Sequence, residues 1–206
     1  CARLLSFRTL ICVSRFIVGG EPYRSPAHIQ AGGDWSNAAF WLAADSLGSD
    51  IGISGLDLDS PQGDTAILDI LRYLDCSDVI DAKDIPDLVP IISVLAAVKP
   101  GTRTITNAER LRIKESDRLE AMAADLRVLG VDLDEHEGGL TIRGGRGLLG
   151  GPVLGYNDHR VVMAMAIAAT AADAPIIIDG AEAAAKSYPA FFRDFRRLGG
   201  VIEEVE

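Results

Sequence analysis

The sequence predicts an α/β fold built from repeated units, on three observations. Three segments begin with Asp and run straight into an apolar stretch of helical length: "DWSNAAFWLAADSLG" from Asp34, "DLVPIISVLAAVKPG" from Asp87 and "DHRVVMAMAIAATAA" from Asp158. Each is followed by a short β-type run, "DIGISG", "TRTITN" and "PIIIDG". Each run leads through a loop into a more polar helix, "GDTAILDILRYL", "SDRLEAMAADLRVLG" and "YPAFFRDFRRLGG". Recurrence of one pattern at tens of residues marks a repeat architecture.

The elements follow from local chemistry. Each leading Asp is an expected N-cap, its carboxylate accepting from the first free N–H groups of the helix. Pro90, the fourth residue of the second copy, is tolerated because it falls in the first turn, where no intrahelical N–H is needed. The second and third polar helices end in Gly, a normal helix stop, and continue into the alternating runs "VDLDEH" and "VIEEVE". "VDLDEHEGGLTIRGG" predicts a hairpin turning at Gly-Gly. The repeats are unequal: 53 residues separate Asp34 from Asp87, and 71 separate Asp87 from Asp158. The shorter unit lacks about 18 residues, the length of one hairpin, where "RYLDCSDVIDAKDIPD" passes almost directly to the next Asp.

Composition excludes several function classes. The 206 residues are 48% hydrophobic and 24% charged, which describes a globular chain rather than a disordered one. A formal net charge of −10 argues against a nucleic-acid surface, so any anionic ligand must be held by a local group of cations. The longest apolar runs are shorter than a bilayer span, which predicts no membrane segment. Cys1, Cys12 and Cys76 have no metal-ligand spacing and are expected as reduced thiols of a cytoplasmic protein. "CARLLSFRTLICVSR" lacks an initiator Met and a cleavage site, so the chain is expected to begin in mid-gene.

Such a local group of cations exists. "NAERLRIKESDR" gathers Arg110, Arg112, Lys114 and Arg118 around Glu115. Helix N-termini attract anions through free N–H groups and the macrodipole, and the loops of a repeat fold gather on one face. That face would carry Lys114, Arg118, Arg160 and Lys186, able to hold a phosphate and a carboxylate. Asp87 and Glu115 would supply carboxylates for proton transfer. Asp34 and Asp158 are expected as structural caps, the latter orienting His159 and Arg160. Arg103, Arg112 and Arg127 are expected as surface charges, Met163 and Met165 as core. "GGRGLLGG" lacks the spacing of a phosphate-binding loop and is expected as a plain loop.

"RIKESDRLEAMAADL", "YNDHRVVMAMAIAA", "IPDLVPIISVLAA" and "AKSYPAFFRDFRRLGG" together resemble the 5-enolpyruvylshikimate-3-phosphate synthase (3-phosphoshikimate 1-carboxyvinyltransferase) family, from about Phe16 to the C-terminus. "KESDR" and "NDHR" separate it from the related UDP-N-acetylglucosamine enolpyruvyl transferases, the alternative assignment. The resemblance implies repeated βαβαββ units with helices buried inside, an inside-out α/β barrel, and one domain of the usual two. It divides the chain into an unmatched stretch 1–15, a crossover remnant 16–27 and a C-terminal domain 28–206. It implies transfer of the carboxyvinyl group of phosphoenolpyruvate to the 5-hydroxyl of shikimate 3-phosphate, with no metal and no organic cofactor. Asp87 would take the hydroxyl proton, and Glu115 would exchange protons with the methylene carbon. Lys114 would bind shikimate 3-phosphate; Arg118, Arg160 and Lys186 would hold phosphoenolpyruvate, with His159 beside them. Arg110 departs from the Asn often found there. The family's other domain, which completes the substrate cleft, lies outside this sequence. A truncated anion-binding module without turnover is the competing reading.

Overall fold

The structure, a computed structural model, describes residues 10–12, 15–17, 20, 24, 28 and 31–205. Most of the predicted stretches 1–15 and 16–27 lie outside the described residues. The chain divides into two compact units, Cys1–Ala31 and Gly32–Glu206. In the first, strands β1 (Leu10–Cys12) and β2 (Arg15–Ile17) pair antiparallel, with Leu10 opposite Ile17.

The second unit is built around three helices. Helix α1 (Trp35–Ala44) opens on Asp34, whose carboxylate accepts from Asn37 N at 3.2 Å, as expected of a cap. It ends in a π-type turn through Asp45–Ser49, where Gly48 takes a left-handed φ of 104°. The chain then passes irregularly to a 3₁₀ turn, Gly63–Ala66, and helix α2 (Ile67–Tyr73). Gln62 fixes this crossing: its Oε1 accepts from Trp35 N at 3.0 Å and its Nε2 donates to Gly33 O at 2.8 Å. Strand β3 (Val79–Asp81) leads through a 3₁₀ turn at Pro86–Leu88 to helix α3 (Val89–Val98). Strand β4 (Gly101–Thr106), a 3₁₀ turn at Glu109–Ile113 and helix α4 (Arg118–Val128) follow. Then come β5 (Asp132–His136), β6 (Gly139–Gly144) and β7 (Gly151–Leu154). Helix α5 (His159–Ala168), β8 (Ile176–Asp179), a 3₁₀ turn at Ala181–Lys186 and α6 (Phe191–Arg197) complete the unit.

Helices α1, α3 and α5 touch one another in pairs and form the interior. Every residue of α5 and all but the last of α3 are buried. A helix apolar on all sides has no face to offer water, which is why these three carry almost no charge. Burying each Val, Leu, Ile or Met side chain contributes about 1.5–3 kcal/mol, so this triple packing is a large part of the core. The sheets lie outside it. One has strand order β3-β4-β6-β5, with β3 parallel to β4 and the other neighbours antiparallel. The other pairs β7 and β8 in parallel. Gly144 lets β6 end directly on α3, because a Cβ there would collide with the carbonyls of Ala96 and Lys99. The inside-out arrangement of repeats with buried helices is therefore present.

Several local expectations need correction. Asp50–Gly55 forms no strand, and neither do residues 201–205. Neither run has a ladder partner among the described residues, and a strand without a partner leaves its backbone groups to water. The hairpin turns at Glu137-Gly138, since His136 pairs with Gly139. Arg103 is not a surface charge: it is 2% exposed, and its guanidinium donates to the carbonyls of Leu74, Lys99 and Pro100 at 2.7–3.0 Å. Arg112 is half-buried and bridges Asp117, Glu135 and two hairpin carbonyls. No described helix is long and apolar enough to cross a membrane.

Candidate active site

Asp87 is not the cap of α3. Pro86 opens a 3₁₀ turn that contains Asp87, and the helix begins at Val89 behind Leu88, with no side-chain cap. The Asp87 carboxylate is thereby free to face three cations. Arg118 Nη1 donates to Oδ1 at 2.9 Å, Lys114 Nζ lies 3.4 Å from Oδ1, and Arg160 Nη2 lies 3.4 Å from Oδ2. Arg160 also donates to the Asp87 carbonyl at 3.3 Å.

Arg118 is the centre of the cluster. It is the first residue of α4, placed there by Asp117, which caps the helix through Leu119 N and Glu120 N. Its side chain is 1% exposed. Besides Asp87, it donates to Glu115 Oε2 at 2.7 Å and to both oxygens of Asp158, at 2.7 and 3.2 Å. Asp158 caps α5 through Arg160 N at 2.9 Å and also accepts from Ser116 Oγ at 3.0 Å. One guanidinium thus ties together the Asp87 turn, the "KESDR" loop and the start of α5.

The electrostatics follow. Burial works against ionisation of Asp87, but Arg160, Lys114 and Arg118 outweigh it and hold the carboxyl below its ordinary value. Burial likewise opposes the charge on Asp158, and Arg118 again prevails. His159 is pushed the other way, first by burial and then by Arg160, which keeps the imidazole neutral near pH 7. Its Nδ1 is buried without a hydrogen-bond partner among the described residues, 3.9 Å from Glu115 Oε1.

Six of the seven site residues expected from sequence meet in this cluster: Asp87, Lys114, Glu115, Arg118, His159 and Arg160. Lys186 joins it through a neighbour: its exposed Nζ lies 2.5 Å from both the carbonyl and Oδ1 of Asn157, the residue before Asp158. Arg110 is exposed on the loop. A groove of about 460 Å³ between α1, Ile53–Leu56 and Ser187–Ala190 shares no lining residue with the cluster, so the charged groups, not the cavity, mark the site.

Sequence reasoning missed Ser116, Asn157, Arg112 and Asp125. Asp125 carried a signal: it falls on the buried face of α4 with Arg118 and Met122, where a carboxylate is out of place.

Comparison with known proteins bears on the family and the fold. The family model for EPSP synthase (3-phosphoshikimate 1-carboxyvinyltransferase) matches residues 73–195. The 3-phosphoshikimate 1-carboxyvinyltransferase of Clostridium novyi is 45% identical over 206 residues, covering 92% of this chain and 47% of that protein. The enzyme of that name from Clostridium acetobutylicum is also 45% identical, covering 93% and 48%. Among solved structures, EPSP synthase from Acinetobacter baumannii superposes with a TM-score of 0.78 at 24% identity, over 98% of this chain and 54% of that one, a likeness of fold. The enolpyruvyl transferase NikO from Streptomyces tendae gives 0.60 at 17% identity, over 85% and 45%. The chain spans about half the length of the curated relatives it matches. With the repeat fold, the "KESDR" and "NDHR" cluster and these matches together, the chain belongs to the EPSP synthase family.

Proposed function

We propose that this chain supplies the proton-transfer wall of a 3-phosphoshikimate 1-carboxyvinyltransferase. The observation that carries the reading is the meeting of Asp87 and Glu115 on one buried guanidinium, with Lys114 and Arg160 beside them. Two carboxylates fixed next to cations suit a reaction that moves protons while holding anions.

In the proposed reaction, the 5-hydroxyl oxygen of shikimate 3-phosphate bonds to C2 of phosphoenolpyruvate. Asp87 accepts the hydroxyl proton, and Glu115, which must enter this step protonated, delivers its proton to the methylene carbon and becomes a carboxylate, giving a tetrahedral adduct. Phosphate then leaves with its electron pair, a methyl proton returns to Glu115, and the double bond is restored. Lys114 faces shikimate 3-phosphate; Lys186 and Arg160 hold the phosphate and carboxylate of phosphoenolpyruvate. Arg118, with four donated bonds and a buried side chain, is assigned to positioning rather than direct ligand contact. His159 borders Glu115. The second wall of the cleft belongs to the remaining part of a full-length enzyme, and a cytoplasmic setting suits the exposed free thiol of Cys76.

The test is phosphate release from phosphoenolpyruvate that depends on shikimate 3-phosphate. It is run with this chain alone and with the chain mixed with the N-terminal half of a relative. Release in the mixture that is abolished by Glu115→Gln supports the reading. Silence in both, with the chain shown to be folded, rejects it.

A further inference from the structure

Helix α4 grips the segment before α5 at two points. Its first residue, Arg118, holds Asp158. Two turns on, Asp125 Oδ1 accepts from Leu154 N, the end of β7, at 3.0 Å. Asp125 is 2% exposed, and its Oδ2 is buried without a partner among the described residues. Burial raises this carboxyl to about 6, the Leu154 N–H only partly offsetting it. A purely apolar packing need at this position would be met by Leu, as at Leu119 and Leu126. A half-satisfied buried carboxylate is costly, so its acceptor role must matter.

What it holds is strained. After Leu154, Gly155 N donates to Asp179 O at 2.7 Å, and Asp158 N donates back to Gly155 O at 2.8 Å. Between them Tyr156 and Asn157 take left-handed φ values of 50° and 52° in succession. Asn tolerates that region; Tyr does not favour it, and two such residues together persist only when their surroundings over-determine them. Asn157 is also the seat of Lys186. We propose that Asp125 is a positioning residue: by its bond to Leu154 N–H it fixes the left-handed Tyr156–Asn157 turn and thereby the place of Lys186 beside the carboxylate cluster. The consequence for substrate rests on the function proposed above; the positional claim does not.

Amide hydrogen exchange on the whole chain tests it. Asp125→Ala removes the acceptor, and exchange of the Leu154–Arg160 amides should rise about tenfold while α3 keeps its protection. Asp125→Asn retains an acceptor oxygen and should stay close to the unsubstituted rate. Unchanged exchange at 154–160 in D125A, an equal rise in α3, or D125N behaving like D125A would each overturn the proposal. Asp125→Leu, which fills the space, carries the same expectation as D125A; failure of both to fold would mean a general structural role and would also overturn it. In the mixed-half assay, D125A should raise KM for phosphoenolpyruvate several-fold and leave KM for shikimate 3-phosphate unchanged. If the unsubstituted mixture is silent, the functional reading fails and the exchange result still decides the position of the turn.

Discussion

Replacing Arg118 by Met should be among the most damaging single changes in the domain. The two shapes are similar, so packing is nearly kept and electrostatics decide. Asp87 and Glu115 have side chains 33% and 42% exposed, and water can replace the lost bonds there. Asp158 is 0% exposed and cannot be rehydrated in place. Stripping one partner from a buried pair costs about 3–5 kcal/mol. Asp158 keeps Ser116 Oγ and Arg160 N as donors, which places the expected loss near the low end, about 3 kcal/mol. Against a total stability of about 5–15 kcal/mol, that is a large fraction.

The pH dependence should weaken as well. In the unsubstituted chain the Asp158 carboxyl lies below its ordinary value, so its contribution is present above the unfolded pKa and is lost as pH falls through the folded one. Without Arg118 the strongest opponent of burial is gone while the bonds from Ser116 Oγ and Arg160 N remain, so the carboxyl moves up from its place in the unsubstituted chain and the loss of stability at low pH shrinks. Urea unfolding of R118M, D158N and the double variant, from pH 4 to 8, measures both effects. A loss under about 1 kcal/mol in R118M, or a coupling near zero in the cycle, would refute the reasoning.

Other expectations are narrower. Asp125→Asn should flatten stability against pH: the raised carboxyl favours folding at low pH and loses that contribution as pH rises through about 6, a change of about 3 kcal/mol relative to the variant; parallel profiles would contradict it. Arg103→Met leaves the carbonyls of Leu74, Lys99 and Pro100 without their donor. It should cost about 1–3 kcal/mol, seen as a melting midpoint lower by several degrees. Lys186→Met, at an exposed position, should leave that midpoint in place. By calorimetry on the mixed halves, it should weaken phosphoenolpyruvate binding by about tenfold or more.

The three apolar helices were legible because α1, α3 and α5 are written as nearly uncharged runs; that they lie buried inside came with the resemblance. Strand β4, strand β8 and the β5–β6 hairpin were legible from alternation and glycine. The convergence of the charged loops was anticipated from the repeat alone, with the cations read as anion holders and the carboxylates as proton carriers; which substrate each residue serves came only with the resemblance. What failed had a common cause: sequence pattern describes an element, not its partner. "DIGISG" reads as a strand, yet has no neighbour to pair with among the described residues. Asp87 reads as a cap by analogy with Asp34 and Asp158, but Pro86 tightens the chain into a 3₁₀ turn and releases the carboxylate. Arg103 and Arg112 read as surface charges because the carbonyls they serve are distant in sequence.

The charges of the cluster cancel. Asp87, Glu115 and Asp158 stand against Lys114, Arg118 and Arg160, with His159 neutral. An anion that settles on Lys114 and Arg160 must compete with Asp87 for them. As it draws those cations away, the attraction that keeps Asp87 ionised weakens and its affinity for a proton rises. The resting cluster is then a weak base that its own ligand strengthens. Such coupling appears as net proton uptake on binding, read from the dependence of the binding heat on the ionisation enthalpy of the buffer.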